Sequence, residues 1–128
     1  MRARMTVAIA MSMTCAWLPA VAAEPAAGTL SSAAQTVRWD GPFYTTTDAP
    51  VPDTFDLTIA LPAGYWATHD GGVEVAIRWI SEYNVFDLFV FAGDWTSIAS
   101  ATGFPTSAES LILREPANGL YHVVVVPT

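Results

Sequence analysis

Apolar residues alternate with other residues in short blocks, each closed by a turn former, and this leaves the chain few folds other than stacked strands. Val37 and Trp39, then Phe55, Leu57, Ile59 and Leu61, then Val73, Val75, Ile77 and Trp79 recur at a spacing of two. So do Phe86, Leu88 and Val90, then Leu111 and Leu113, then Tyr121, Val123 and Val125, with a short segment from Ser97 to Thr102 among them. Side chains two apart project from the same face of a strand, so each block offers one apolar face for burial. The blocks are punctuated by Pro50-Val51-Pro52-Asp53, Pro62-Ala63-Gly64, His69-Asp70-Gly71-Gly72, Gly93-Asp94 and Glu115-Pro116-Ala117-Asn118-Gly119, all rich in turn residues. The expected fold is an all-β antiparallel β-sandwich of about seven to eight short strands.

The first 23 residues stand apart from this pattern. Arg2 and Arg4 precede an apolar run from Thr6 to Leu18, too short to span a bilayer, and Pro19 leads into Val21-Ala22-Ala23. This is the arrangement of a secretory signal peptide, with cleavage after Ala23 or, fitting almost as well, after Ala22. An uncleaved membrane anchor is the alternative. Lipidation of Cys15 is disfavoured, because Ser12-Met13-Thr14 lacks the residues expected before a lipidated cysteine. The chain is therefore expected to be exported and extracellular, with no stable membrane insertion once the leader is gone.

Removing residues 1–23 leaves 105 of the 128 residues, with three arginines (Arg38, Arg78, Arg114) against twelve acids, a net charge of −9. There is no lysine, so no basic patch exists to release counterions from phosphates, and binding to nucleic acid or anionic lipid is disfavoured. Cys15, the only cysteine, leaves with the leader, so the exported domain must be held by core burial without disulfides. Glu24 to Ala34 is small and polar, without a sustained period, and is expected to be a flexible lead-in to a sandwich domain over residues 35–128.

Within that domain, Val85-Phe86-Asp87-Leu88-Phe89-Val90-Phe91, the turn at Gly93-Asp94 and Ser97-Ile98-Ala99-Ser100-Ala101 form a consecutive block. It resembles the Asp-Leu-Tyr-Val-Tyr block, turn and following strand of bacterial pre-peptidase C-terminal (PPC) domains. Ser107 to Arg114 and the ending Glu115-Pro116-Ala117-Asn118-Gly119-Leu120-Tyr121-His122-Val123-Val124-Val125 extend the likeness, which covers roughly residues 36–126. Glu115 departs from it, standing where the family usually has Asn. The resemblance implies a secreted, non-catalytic jelly-roll-like module attached to larger secreted proteins, often hydrolases. Because the family commonly adds another strand, it also implies that a final strand is missing here or that the chain is the N-terminal part of a larger protein.

Three sets of residues are candidates for function. Tyr65, Trp66 and Trp95 fall in turns, and Phe89 and Phe91 lie on the face opposite Leu88 and Val90. Together they form either an exposed apolar patch that contacts a protein, a polysaccharide or a neighbouring domain, or a set of rings hidden under loops. Asp53, Asp56, Asp87 and Asp94, with Asp48 nearby in sequence, are the acids from which a calcium site would be built, calcium being the one cofactor considered. Their alternative role is to keep the domain soluble. His69 and His122 are the only histidines, one in a turn and one expected to point outward from a strand, with no Gly-x-Ser-x-Gly elbow beside them. A binding module is thus the leading expectation, a calcium-stabilised ligand-binding module the second and a small hydrolase the third.

Overall fold

The computed structural model describes residues 3–5, 8–9, 11–12, 23–41, 51–80, 84–103 and 107–128. Among these, the strands in chain order are β1 (Ala3–Met5), β2 (Ala8–Ile9), β3 (Met11–Ser12), β4 (Ala27–Ser31), β5 (Trp39–Asp40), β6 (Asp53–Ala60), β7 (His69–Arg78), β8 (Phe86–Ala92), β9 (Ser97–Ala101), β10 (Ala108–Arg114) and β11 (Gly119–Pro127). A four-residue helix, α1 (Tyr65–Thr68), joins β6 to β7.

The period of two in the sequence becomes two faces in the structure. Phe55, Leu57 and Ile59 of β6 are withdrawn from solvent, while Thr54, Asp56 and Thr58 between them are only partly covered. The same holds for Val73, Val75 and Ile77 on β7, and for Phe86, Leu88 and Val90 on β8. Leu111 and Leu113 of β10, with Tyr121, Val123 and Val125 of β11, complete one core shared by two sheets. Each full burial of such a side chain stabilises the fold by about 1.5–3 kcal/mol, which is why the alternation selects the inner face.

The larger sheet has the order β4-β6-β11-β8-β9. The β6–β11, β11–β8 and β8–β9 pairs are antiparallel, with Tyr121 opposite both Leu57 and Ala92. The smaller sheet centres on β7, to which β10 pairs antiparallel and β1 and β2 pair parallel. β3 and β5 form a separate parallel pair. The expected antiparallel sandwich is therefore the observed one, with parallel additions from the N-terminal segments.

Between the sheets the large rings are paired. Trp39 stacks on Phe55 with centroids 4.5 Å apart, and Trp79 meets Phe86 edge-on at 5.1 Å. The Trp79 indole N–H donates to the Asn84 carbonyl at 2.8 Å, which gives the buried ring its polar partner. At one end of the sandwich Asn118 acts as a strand extension: its carbonyl oxygen accepts from Leu61 N at 2.9 Å and its amide donates to Leu61 O at 2.7 Å. Gly72 is required where β7 passes β10, because a Cβ there would run into the Leu113 carbonyl. Among the described residues no helix is long and apolar enough to cross a membrane.

One expectation is corrected here. The segment 24–34, read as a flexible lead-in, carries β4, which pairs with β6 from Ala27↔Asp56 to Ser31↔Ala60. Leu30, its one large apolar residue, is fully buried in the core. A lone leucine among small residues leaves no period in the sequence, yet its burial, with the backbone bonds to β6, fixes the segment. The adjoining Glu24 forms a two-way backbone bridge with Asp40, at 2.9 and 3.0 Å.

Candidate functional site

The outer face of the larger sheet is built from the residues that the inner alternation leaves over. His122 lies opposite Asp56 on one side and Phe91 on the other, while Val124 lies opposite Thr54 and Phe89. This row ought to be open to water. Instead His122 and Val124 are each only 8% exposed, and an aromatic ring lies over His122.

Trp95 is the chief cover. The hairpin between β8 and β9 closes through Trp95 N to Ala92 O at 2.9 Å and Ala92 N to Thr96 O at 2.8 Å. Thr96 N also donates to the Asp94 carboxylate at 3.0 Å, and hydrogen bonding by Thr96 holds the exposed Asp94 carboxyl below its usual pKa. Trp95 itself has φ 67°, a left-handed conformation that suits glycine or asparagine and is unfavourable for a bulky residue. In this position the indole turns back over the sheet and stacks on His122, with centroids 3.9 Å apart and planes within 9°. Phe91 is 5.8 Å from Trp95 and Phe89 is 6.4 Å from Phe91, so the rings form a strip across β8 and onto β11.

His122 is fixed from below as well. Its Nδ1 donates to Asp56 Oδ1 at 2.7 Å, and Nε2 sits 3.4 Å from the Gly93 carbonyl. The Asp56 side chain remains 46% exposed. One indole face is thus held against an imidazole, while Trp95 as a whole is 55% exposed and has a carboxylate within the same row. Such a site can stack a flat apolar face and accept hydrogen bonds beside it. It is poorly arranged for nucleophilic catalysis, in which the second imidazole nitrogen would face a hydroxyl; here that nitrogen faces a backbone carbonyl.

The five aromatic candidates divide into two groups. Phe89, Phe91 and Trp95 form the strip just described. Tyr65 and Trp66 lie on α1, half-buried against the core. Trp66 donates its indole N–H to Pro116 O at 3.0 Å, and Tyr65 stacks on His69 at 3.9 Å while meeting Trp66 edge-on. Both therefore plug one end of the sandwich, and His69 is tied into the same plug through Tyr65 O at 2.9 Å.

The acidic candidates are not brought together. Asp53 faces inward with Phe55 and is 3% exposed, whereas Asp56 faces outward. Asp87 is level with Val126, four residues along β11 from the His122 that faces Asp56, a separation of roughly 13 Å. Asp94 is out in the hairpin turn, and Asp48 lies outside the described residues. Among the described residues no group of three or more His, Cys, Asp or Glu side chains is placed to hold a metal ion. Asp56 is in the site as the partner of His122. The sequence reading missed that pairing, because the two residues are 66 apart and meet only through the β6–β11 register.

The fold and this face define a class: an all-β sandwich with a rigid aromatic strip on the outside of its larger sheet. Against family models, curated proteins and solved structures, the chain matches none.

Proposed function

We propose that this chain is a secreted, non-catalytic binding module, released from the leader at its N-terminus, that docks a polysaccharide chain on the strip formed by Trp95, Phe91 and Phe89. The observation that carries this reading is Trp95, a tryptophan held in left-handed backbone geometry with its indole stacked on His122 and more than half its surface open. A folded chain keeps a strained bulky residue of this kind where the strain has a use, and presenting a pre-set ring is such a use. Sugar rings have one face of C–H groups and an edge of hydroxyls, which suits an indole with the Asp56 carboxylate nearby. The resemblance of residues 85–125 to PPC domains supports the same accessory role within a larger secreted protein.

The test is retention of the exported protein on a panel of insoluble polysaccharides, wild type against Trp95→Ala and Phe91→Ala. The reading expects retention on at least one polymer and its loss in Trp95→Ala. Retention that is equal in both variants and wild type would place binding elsewhere. Retention on none would remove polysaccharide as the ligand.

A further inference from the structure

The most buried acid of the described chain is not on the aromatic face. Asp53 is 3% exposed, and its carboxylate touches Ala23. Ala23 N donates to Asp53 Oδ1 at 2.8 Å, while Oδ2 is buried without a hydrogen-bond partner. Ala23 is itself 3% exposed and belongs to the core. The neutral backbone donors of Ala23 and Thr54 leave Oδ2 unpartnered, an arrangement that costs free energy unless more charge or more donors arrive.

The chain has a means of supplying both. Ala20-Val21-Ala22 has small residues one and three positions before the Ala22-Ala23 bond, the pattern that an export peptidase accepts. We infer that the leader is cut between Ala22 and Ala23, and that the new α-ammonium of Ala23 forms an ion pair with the buried Asp53 carboxylate. This rests on reading the N-terminal segment as an export leader. The peptidase hydrolyses the Ala22 C–Ala23 N bond: water supplies the hydroxyl of the new Ala22 carboxyl group and a proton to the amine, and at neutral pH the carboxyl group ionises while the amine takes up a further proton. The nitrogen then carries three hydrogens and a positive charge in place of one hydrogen and none.

Residues downstream of the cut hold that nitrogen in place. Glu24 is bridged to Asp40 by two backbone bonds, and β4 is paired along β6 with Leu30 buried beneath it. The β4–β6 pairing lies wholly downstream of the cut, whereas β5, which carries Asp40, is also paired with β3 in the leader. Cleavage one residue later, after Ala23, would discard the residue and leave Asp53 without this donor. In the processed chain the buried Asp53 carboxylate is therefore matched by a charge, which ties its pairing to export.

The absence of lysine makes the test clean, because the α-amine is the only aliphatic amine an acylating reagent can find. The full 128-residue chain is exported from a bacterium with a general secretion pathway, and the product is weighed intact and labelled with an amine-reactive ester. The expected product begins at Ala23, and its folded form is labelled at least about tenfold more slowly than the same chain in urea, as a shift of one pKa unit or more in the amine requires. Asp53→Asn should restore fast labelling. If that variant does not fold, a glycine inserted between Ala22 and Ala23 moves the amine off Asp53, leaves Asp53 intact, and should be labelled at the unfolded rate. A product that starts at Glu24, or an Ala23 amine as reactive in the folded chain as in urea, would overturn the inference alone. A product of full mass would overturn the export reading and this inference with it.

Discussion

Replacing Trp95 separates two effects that the structure superimposes at one residue. Slightly less than half of the side chain is covered. That is on the order of 100 Å² of apolar surface for an indole, about 2.5 kcal/mol at roughly 25 cal/mol per Å². Stacking on His122 at 3.9 Å adds about 1 kcal/mol beyond the area. Trp95→Ala loses both and keeps the left-handed φ of 67°, so it should destabilise the domain by about 3.5 kcal/mol. Trp95→Gly loses the same contacts but relieves the backbone, which recovers about 1 kcal/mol, for a net loss of about 2.5 kcal/mol. Urea unfolding followed by circular dichroism measures both, and the thermal midpoint should fall by roughly 4–8 °C per kcal/mol. Glycine must come out more stable than alanine. If alanine is the more stable, the strain argument is wrong; if both variants stay within about 0.5 kcal/mol of wild type, Trp95 is not a roof over His122 at all.

Other expectations concern the charged groups. Because Asp56 is nearly half exposed, its bond to His122 at 2.7 Å should show a coupling of about 1 kcal/mol in a double-mutant cycle of Asp56→Ala and His122→Ala, read by urea unfolding; additive losses would mean the pair is incidental. The dispersed carboxylates lead us to expect a thermal midpoint that chelator leaves unmoved, and an upward shift on adding calcium would show that a site forms outside the arrangement described. In the full-length chain, burial raises the Asp53 pKa above 3.8 despite opposing hydrogen bonds from Ala23 and Thr54. A carboxyl with a raised folded pKa favours the protonated form, so its contribution is fully present below the unfolded value and is lost as pH rises through the folded one. The stability of that chain relative to its Asp53→Asn variant should therefore improve as pH falls from 7 to about 4, and a difference that is flat or reversed would show that Asp53 is ionised at no cost there.

Much of the sandwich was legible because strand identity is a local property. The spacing of Phe55, Leu57 and Ile59, and of Phe86, Leu88 and Val90, states which face is buried without reference to any distant residue. Trp95 was legible for a related reason, since a tryptophan directly after Gly93-Asp94 is conspicuous where a polar residue would serve. Leu30 was not, because one apolar residue makes no period; its burial depends on β6 offering an open edge. Tyr65 and Trp66 looked equivalent to Trp95 as turn aromatics, and the difference arose from what lay beneath: Pro116 and the core in one case, the outer face of a strand in the other.

The turn expected at His69-Asp70-Gly71-Gly72 opens β7 instead, but by itself the sequence determined the class of secondary structure, the inner faces, most of the other turns and the absence of a basic surface. All of these follow from composition or from neighbours two to four positions away. Only the tertiary structure decided that Asp56 meets His122, that Asp53 is enclosed against Ala23 and that the four acids stand apart. The reason is register: a slip of one residue between β6 and β11 would leave every local pattern intact while turning the β11 side chains, His122 among them, to the other face relative to β6. Register is set by the packing of the whole core, which no single segment of the chain contains.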